Sequence, residues 1–306
     1  MNTTPSFTRT LRQRWQAADS MLCVGLDPDP ARIPAHLGTG PEAIDRFCRD
    51  IIAATADTVC AFKPQIAYFA AQGAEDVLAG LIAHIHAEHP GIPVILDAKR
   101  GDIGSTARQY GVEAFDRFKA DALTLSPFMG FDSIEPYFEW AGRGLILLCR
   151  TSNPGGNDLQ ALSVLPAGNA TGTPPGAPSP RQSASGTTPD AQPEKLYEHL
   201  ARLAAGPWNV SGELGLVVGA TFPDELARVR ALAPRLPLLV PGVGAQGGDV
   251  NATVRAGLDA DGYGLVINSS RAILYAGKGT DFADQARKAA VATRDAIRAA
   301  RDAARA

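Results

Sequence analysis

The stretch Pro93-Val94-Ile95-Leu96-Asp97-Ala98-Lys99-Arg100-Gly101-Asp102 holds a short apolar run that passes without a break into charged residues. Residues 93–96 have the length and the β-branched content of a buried strand. A strand that is apolar on both faces is typical of a parallel sheet, because helices cover both sides of such a sheet. The stretch therefore predicts a βα unit whose polar residues begin where the strand ends.

Similar apolar runs recur along the chain, and helical patterns separate them. The runs lie at 22–26, 58–62, 122–125, 145–148, 216–218, 238–240 and 264–267. Apolar residues with helical spacing, or an Ala/Arg/Asp-rich composition that favours helix, occur near 6–18, 41–56, 73–88 and 282–306. Eight βα units are the number that closes a (β/α)8 TIM barrel, and we predict this α/β fold as a single domain over 1–306. A doubly wound open sheet is the alternative, and the lack of GxGxxG after the first strand disfavours it.

One segment, 166–193, interrupts this alternation. It reads PAGNATGTPPGAPSPRQSASGTTPDAQP and consists almost entirely of Pro, Gly, Ala, Ser and Thr. Such a composition offers too little apolar bulk to offset the entropy of ordering the chain. We predict a disordered low-complexity insert between the fifth strand and its helix, a kind of surface insertion that costs a fold little.

The composition excludes several classes of function. The net charge is −3, with 45% hydrophobic and 20% charged residues, so no basic surface for nucleic acid or anionic lipid is indicated. The polar start MNTTPSFTRT lacks a signal-peptide pattern, and no apolar run is long enough to predict a membrane helix. The four cysteines form no CxxC pair, and we predict buried free thiols and a cytoplasmic location.

Ionisable residues follow the first three predicted strands, and barrels of this type form their active sites at those strand ends. Asp27 ends the first strand and Lys63 follows the second. Side chains alternate along a strand, so Asp97 and Lys99 are predicted to point the same way, while Gly101 allows a turn that redirects Asp102. The alternative is an ion-pair network that only seals the barrel. Such networks are expected at the opposite end, so the pattern favours an active site.

The last two strands are followed by residues suited to a phosphate group. A glycine-rich loop covers 241–248, and Asn268-Ser269-Ser270-Arg271 follows the eighth strand. Phosphate sites in these barrels are commonly built from the loops after strands seven and eight. Glycine lets backbone N–H groups approach the anion, and a guanidinium group can bind two of its oxygens. The sequence therefore predicts a phosphate-binding site near Arg271.

Five motifs, in order, resemble those of orotidine 5′-phosphate decarboxylase in its longer bacterial branch, type 2. They are VGLDPDP at 24–30, AFKPQIAYF at 61–69, LDAKRGDIGSTA at 96–107, TSNPGG at 151–156 and PGVGAQGGD at 241–249. The D-x-K-x-x-D core alone is shared by other sugar-phosphate enzymes, whereas the ordered set is specific. The resemblance covers about 20 to 275, apart from the insert.

The resemblance implies the decarboxylation of orotidine 5′-monophosphate to UMP and CO2 in de novo pyrimidine biosynthesis, with no cofactor and no metal. It implies that Lys99 protonates C6 within a charged array that also contains Lys63, Asp97 and Asp102. Asp102 would reach into the site of a neighbouring subunit, and Thr106 would join it there. A homodimer with shared active sites is therefore expected, with a small-molecule substrate and no nucleic acid or membrane partner.

The same resemblance assigns the substrate contacts. Asp27 and Lys63 would hold the ribose hydroxyls, and Ser152 would contact the amide edge of the pyrimidine. Gln246 and Arg271 would hold the phosphate. The better-known short members have glycine immediately before that arginine, where this chain has Ser270. The backbone N–H of Ser270 can still donate to an anion.

Three alternatives remain open at this point. A metal-dependent sugar-phosphate decarboxylase or aldolase of the same superfamily would stabilise an enediolate. A Schiff-base aldolase would need a neutral lysine, which the carboxylates predicted on both sides of Lys99 disfavour. A non-catalytic nucleotide sensor would bind UMP without turnover. Chelation, borohydride trapping and a turnover assay separate the three.

Overall fold

The computed structural model describes residues 6–165, 192–243 and 248–305. Its main sheet contains eight parallel strands, in the order β2-β1-β8-β7-β6-β5-β4-β3 around the ring. These strands are β1 Leu22–Leu26, β2 Ala61–Pro64, β3 Ile95–Arg100, β4 Ala122–Leu125, β5 Gly144–Arg150, β6 Leu214–Val218, β7 Leu238–Pro241 and β8 Leu265–Ser269. Parallel bridges from Phe62 to Val94 and from Gln65 to Asp97 join β2 to β3, so the ring closes.

One helix precedes the first strand, and the main helices that follow the strands cover the outside of the barrel. The helices are α1 Phe7–Ala18, α2 Gly40–Thr55, α3 Ile66–Ala70, α4 Glu75–Glu88, α5 Gly104–Gly111, α6 Leu196–Ala205, α7 Pro223–Leu232, α8 Val250–Gly257, α9 Arg271–Leu274 and α10 Phe282–Arg305. A π-helical turn, Val112–Arg117, continues α5. The amphipathic helices bury their apolar stripe against the strands, as with Phe47, Ile51 and Ile52 of α2.

Helix α1 packs beneath the barrel, at the N-terminal ends of the strands. Ser6 caps it by accepting a hydrogen bond from the backbone of Arg9, and its hydroxyl donates to Glu213 at 2.6 Å, just before β6. Phe7 packs so closely on Gly144 at the start of β5 that a β-carbon there would lie 2.3 Å from its ring. This end of the barrel is therefore closed by packing, which leaves the opposite end for a ligand.

The predicted (β/α)8 barrel is confirmed, and the doubly wound alternative is excluded by the closed ring. The boundaries differ most at two strands. The second was predicted at 58–62 and spans Ala61–Pro64, and the third was predicted to end at 96 but continues to Arg100. The short helix α3 was not predicted, because five residues are too few to show a helical repeat.

The predicted insert at 166–193 lies outside the described residues, except for 192 and 193. The structure adds a short antiparallel pair that the sequence did not indicate, between Ser163–Val164 and Glu194–Lys195. The four cysteines all belong to the described residues, and each is free and buried. Within the described ranges, every helix is too short or too polar to cross a membrane.

Candidate active site

A cavity of about 600 Å³ opens at the C-terminal ends of the barrel strands. Residues that follow β1, β2, β5, β7 and β8 line it, together with the end of β3. It brings together seven of the residues predicted from the sequence: Asp27, Lys63, Asp97, Lys99, Ser152, Ser270 and Arg271. The charged residues of the early strands and the residues predicted to bind a phosphate after the last strand therefore face the same space.

Asp97 bridges two lysines on the floor of this cavity. Its Oδ2 accepts a hydrogen bond from Lys63 Nζ at 2.9 Å, and its Oδ1 accepts one from Lys99 Nζ at 2.7 Å. Lys63 and Asp97 are buried, whereas the Lys99 side chain is 47% exposed to the cavity. The array therefore presents one fixed, accessible ammonium group that is anchored through a carboxylate to a buried one.

Burial and charge act in opposite directions on this array. Burial alone would lower the pKa of Lys63, but the attraction of Asp97 and Asp27 outweighs it and the pKa is raised above its ordinary value. Burial alone would raise the pKa of Asp97, but Lys63 and Lys99 hold it well below its ordinary range. Asp97 and Lys63 are therefore both charged at neutral pH.

The Asp97–Lys99 segment does not follow regular strand geometry. The register between β3 and β4 shifts between Leu96 and Arg100, and Lys99 has a left-handed φ of 48°. Thr124 of β4 holds this bulge, because its Oγ1 accepts hydrogen bonds from the backbone of Ala98 and Lys99, each at 3.0 Å, and donates to Asp97 Oδ1 at 2.9 Å. Strand alternation predicted that Asp97 and Lys99 point the same way, and the two side chains are in contact. The cause is a bulge that directs Lys99 toward Asp97, not regular alternation.

Thr124 is a site residue that the sequence analysis missed. It lies within the apolar run Ala122–Leu125 and lines the cavity. A threonine in a strand is ordinary, since its β-branched side chain suits that geometry. Only its position beside the charged residues of β3 could have indicated a polar role, and that position depends on strand pairing.

Gly25 and Ser270 meet where β1 and β8 are neighbours. A β-carbon on Gly25 would lie 1.9 Å from Ser270 Oγ, so glycine is required there. Asn268 Nδ2 donates to Ser270 Oγ at 3.2 Å. Ser270 has a φ of −111°, which lies outside the left-handed region that favours glycine.

Two buried oxygens at this place have no hydrogen-bond partner among the described residues. They are Oδ1 of Asp27 and Oδ1 of Asn268, and both residues line the cavity. A buried acceptor left without a donor is costly. The pair is therefore suited to accept hydrogen bonds from a bound ligand.

Arg271 begins the short helix α9 and is exposed at the edge of the cavity. Within the described parts of the chain it forms no ion pair, so its guanidinium group is available to an anion. Gly242 and Val243 also line the cavity and follow the neighbouring strand β7, and the backbone N–H of Gly248 donates to the Gly242 oxygen at 3.2 Å. Gln246, the other predicted phosphate residue, lies outside the described residues.

Asp102 and Thr106 do not line the cavity of their own chain. Asp102 Oδ1 accepts a hydrogen bond from the backbone N–H of Ile103 at 2.8 Å, and Thr106 is exposed on α5. This placement leaves both side chains free to act in another subunit, and that role stays a prediction.

The fold and the cavity define the chain as a (β/α)8-barrel enzyme with a charged array in a cavity that Arg271 borders. The Orotidine 5′-phosphate decarboxylase / HUMPS family model matches residues 20–170. Orotidine 5′-phosphate decarboxylase from Azoarcus sp. strain BH72 is 63% identical over 96% of this chain and 99% of that relative. The chain belongs to the orotidine 5′-phosphate decarboxylase family.

Further relatives and solved structures agree with this assignment. The Dechloromonas aromatica orotidine 5′-phosphate decarboxylase is 60% identical over 95% of this chain and 98% of its own. Leishmania donovani OMP decarboxylase has a TM-score of 0.76 at 39% identity, covering 97% of this chain and 99% of its own. A Toxoplasma gondii structure described as a putative orotidine-monophosphate-decarboxylase reaches 0.80 at 35% identity, with 98% and 97% covered.

Proposed function

We propose that the chain decarboxylates orotidine 5′-monophosphate to UMP and CO2 in pyrimidine biosynthesis, without a cofactor. Membership of the orotidine 5′-phosphate decarboxylase family supports the reaction. The observation that carries the proposal is the carboxylate of Asp97 bridging Lys63 and Lys99 within the cavity that Arg271 borders. A fixed cation and an anion anchor in one space suit a phosphorylated substrate that develops negative charge.

The chemical step needs a fixed positive charge. When the bond between C6 and the carboxylate breaks, CO2 leaves and the electron pair stays on C6 as a poorly delocalised carbanion. A preorganised ammonium group stabilises such a charge, because it does not have to reorient during the reaction. Lys99 Nζ, held 2.7 Å from Asp97, is that group in our proposal, and it then transfers a proton to C6.

The remaining residues bind the substrate away from the reacting carbon. Asp27 accepts hydrogen bonds from the ribose hydroxyls and Lys63 donates hydrogen bonds to them. The Oδ1 of Asp27, which has no partner among the described residues, supports this role. Ser152 contacts the amide edge of the pyrimidine. Arg271, the backbone of Ser270 and Gln246 hold the phosphate. Binding energy from the phosphate orients the pyrimidine over Lys99. A substrate without the phosphate should therefore show lower turnover as well as lower affinity.

The proposal is tested by the loss of orotidylate absorbance with purified protein in excess EDTA. We expect full activity after exhaustive chelation and stoichiometric formation of UMP. A metal-dependent enediolate mechanism requires activity to disappear on chelation and to return with a divalent cation. Binding of UMP with no turnover of orotidylate would instead indicate a nucleotide sensor.

Replacing Arg271 by alanine is expected to weaken UMP binding by about 10- to 100-fold, since a hydrogen bond to a charged group contributes about 1.5–3 kcal/mol. Uridine, which has no phosphate, should bind both proteins equally. Titration calorimetry measures the two affinities. Arg235→Ala is the control, because Arg235 is an exposed arginine just before β7, at the other end of the barrel. An equal loss for uridine and UMP would contradict a phosphate role.

We also propose a homodimer in which Asp102 and Thr106 complete the partner's site. Ile103, Phe128 and Met129 support it, because they are large, exposed apolar side chains that follow the neighbouring strands β3 and β4. Exposed apolar side chains grouped beside a site are typical of an interface.

A cytoplasmic location is proposed as well, since four free cysteines fit a reducing compartment.

Mixing the inactive variants Lys99→Ala and Asp102→Ala tests the shared site. Each heterodimer has one site with both native residues, so random exchange of subunits should restore about one quarter of the wild-type activity. Differently tagged subunits allow the heterodimer to be isolated and assayed. Isolated heterodimers without activity would show that Asp102 does not act across the interface.

A further inference from the structure

Arg150, the last residue of β5, is a completely buried cation directly behind the cavity. Its Nε donates to the Glu225 carboxylate of α7, its Nη2 donates to Asn157 Oδ1 at 2.5 Å, and its Nη1 donates to Gln160 Oε1 at 3.4 Å. The guanidinium group also stacks on Phe222, with Cζ 4.1 Å from the ring centroid. One side chain therefore connects β5, α7 and the segment that follows β5.

That segment, residues 151–160, is mostly exposed and has few other anchors. Within it only Gly156 is buried. Gln160 lines the cavity, and its Oε1, which Arg150 contacts, also accepts a hydrogen bond from the backbone N–H of Thr151 at 2.8 Å. The contacts from Arg150 therefore end at the backbone of Thr151, which directly precedes Ser152, and both residues line the cavity.

Two further features show that the surroundings are fitted to the guanidinium group. A β-carbon on Gly156 would lie 2.7 Å from Arg150 Nη1, so the backbone approaches more closely than any other residue allows. The register between β5 and β6 shifts between Leu148 and Arg150. Such irregularities redirect a side chain out of the regular alternation. The strand ends of Lys99 and Arg150 thus depart from ideal geometry in the same way.

We propose that Arg150 is a positioning residue that fixes segment 151–160 so that Ser152 and Gln160 recognise the base of the bound nucleotide. The proposal rests on the proposed function, in which Ser152 contacts the pyrimidine. A fully buried arginine is expensive to desolvate and stabilises a fold no better than an apolar side chain of similar size. Its three polar partners instead define one arrangement of an otherwise exposed loop.

The test compares UMP with ribose 5-phosphate, which has a hydroxyl group in place of the base. Affinities for UMP and for ribose 5-phosphate are measured by calorimetry on the full chain and on the variants Arg150→Lys and Asn157→Ala. Lysine keeps the charge of Arg150 but cannot bind three partners in a plane. We expect Arg150→Lys to weaken UMP binding by about tenfold or more and ribose 5-phosphate binding by less than about threefold. Asn157→Ala should shift the UMP affinity in the same direction by a smaller factor.

Arg230→Lys is the matched control, because Arg230 is also buried, and all of its hydrogen bonds among the described residues are donated to backbone oxygens. These belong to Ala233, Pro234, Leu236, Gly257 and Gly264. For Arg230→Lys we expect a lower melting temperature and an unchanged ratio of the affinities for UMP and ribose 5-phosphate. The inference is overturned if a folded Arg150→Lys protein keeps the wild-type ratio. Should that variant not fold, an unchanged ratio in Asn157→Ala overturns it, since the Asn157 side chain is exposed.

The outcome separates this inference from the proposed function. If wild-type protein prefers UMP to ribose 5-phosphate and Arg150→Lys loses the preference, the role of Arg150 holds even when orotidylate is not decarboxylated. If wild-type protein decarboxylates orotidylate and Arg150→Lys retains the preference, the proposed function holds and the role of Arg150 fails. Equal wild-type affinities for both ligands would overturn base recognition by this segment.

Discussion

Replacing Lys99 by alanine is expected to lower kcat for orotidylate by roughly 10⁴-fold, because one side chain supplies both the fixed positive charge and the proton. UMP binding should change by less than about tenfold, since the proposed ribose and phosphate contacts remain in place. Stopped assays with high enzyme concentration measure the residual rate. Calorimetry measures the binding.

A control for this variant must reproduce its backbone. Lys99 has a left-handed φ of 48°, and alanine at that position keeps the same strain because neither residue is glycine. Lys119 is an exposed lysine with a φ of 57° that lies outside the cavity, so Lys119→Ala matches the change. We expect full activity from that control. A Lys99→Ala protein with near-normal kcat would disprove the proton-donor role.

Replacing Asp97 by asparagine is expected to remove turnover and to lower the free energy of unfolding by about 3–5 kcal/mol, because it leaves Lys63 charged and buried without its nearest partner. Urea denaturation measures the stability. The double variant Lys63→Met/Asp97→Asn is the control, since it removes the buried charge as well. It should recover part of the lost stability without any activity. An equal loss of unfolding free energy in the single and double variants would show that the unpaired charge of Lys63 does not cause the destabilisation.

The pH dependence of the stability that Asp97 and Lys63 contribute to the wild-type protein follows from their two shifted pKa values. The pKa of Asp97 is lowered from 3.8, so its contribution is complete above that pH and is lost as the pH falls through the lower native value. The pKa of Lys63 is raised from 10.5, so its contribution is complete below that pH and is lost as the pH rises through the higher native value. The stability that these two groups contribute to the wild-type protein should therefore be flat between about pH 4 and 10, as urea denaturation across that range would measure.

The positions of the strands and of most site residues could be read from the sequence because they depend on local patterns. A buried parallel strand is a continuous apolar run, and the first charged residue marks its last part, as at Leu96-Asp97, or its end, as at Leu26-Asp27. In a barrel all such ends meet at one rim, so Asp27, Lys63 and Asp97 were grouped correctly without knowledge of their distances.

The residues that hold the site in shape were not predictable in this way. Thr124 and Arg150 act through bulges and through contacts with distant parts of the chain, such as the contact of Arg150 with Glu225, 75 residues away. The fifth strand was predicted to end at 148, and the sequence analysis assigned no role to Arg150. Its burial depends on the packing of α7 and segment 151–160, and local periodicity carries no information about that packing.

The close approach of Gly25 and Ser270 joins the first strand of the barrel to the segment that follows its last strand. Gly25 belongs to the strand that ribosomes synthesise first, and Ser270 follows the strand that they synthesise last. The corner that borders Arg271 thus exists only after β8 has inserted beside β1. Anions that occupy this corner stabilise the completed ring alone, so their concentration shifts the folding equilibrium toward it. Acquisition of nucleotide affinity during refolding consequently reports the moment of ring closure.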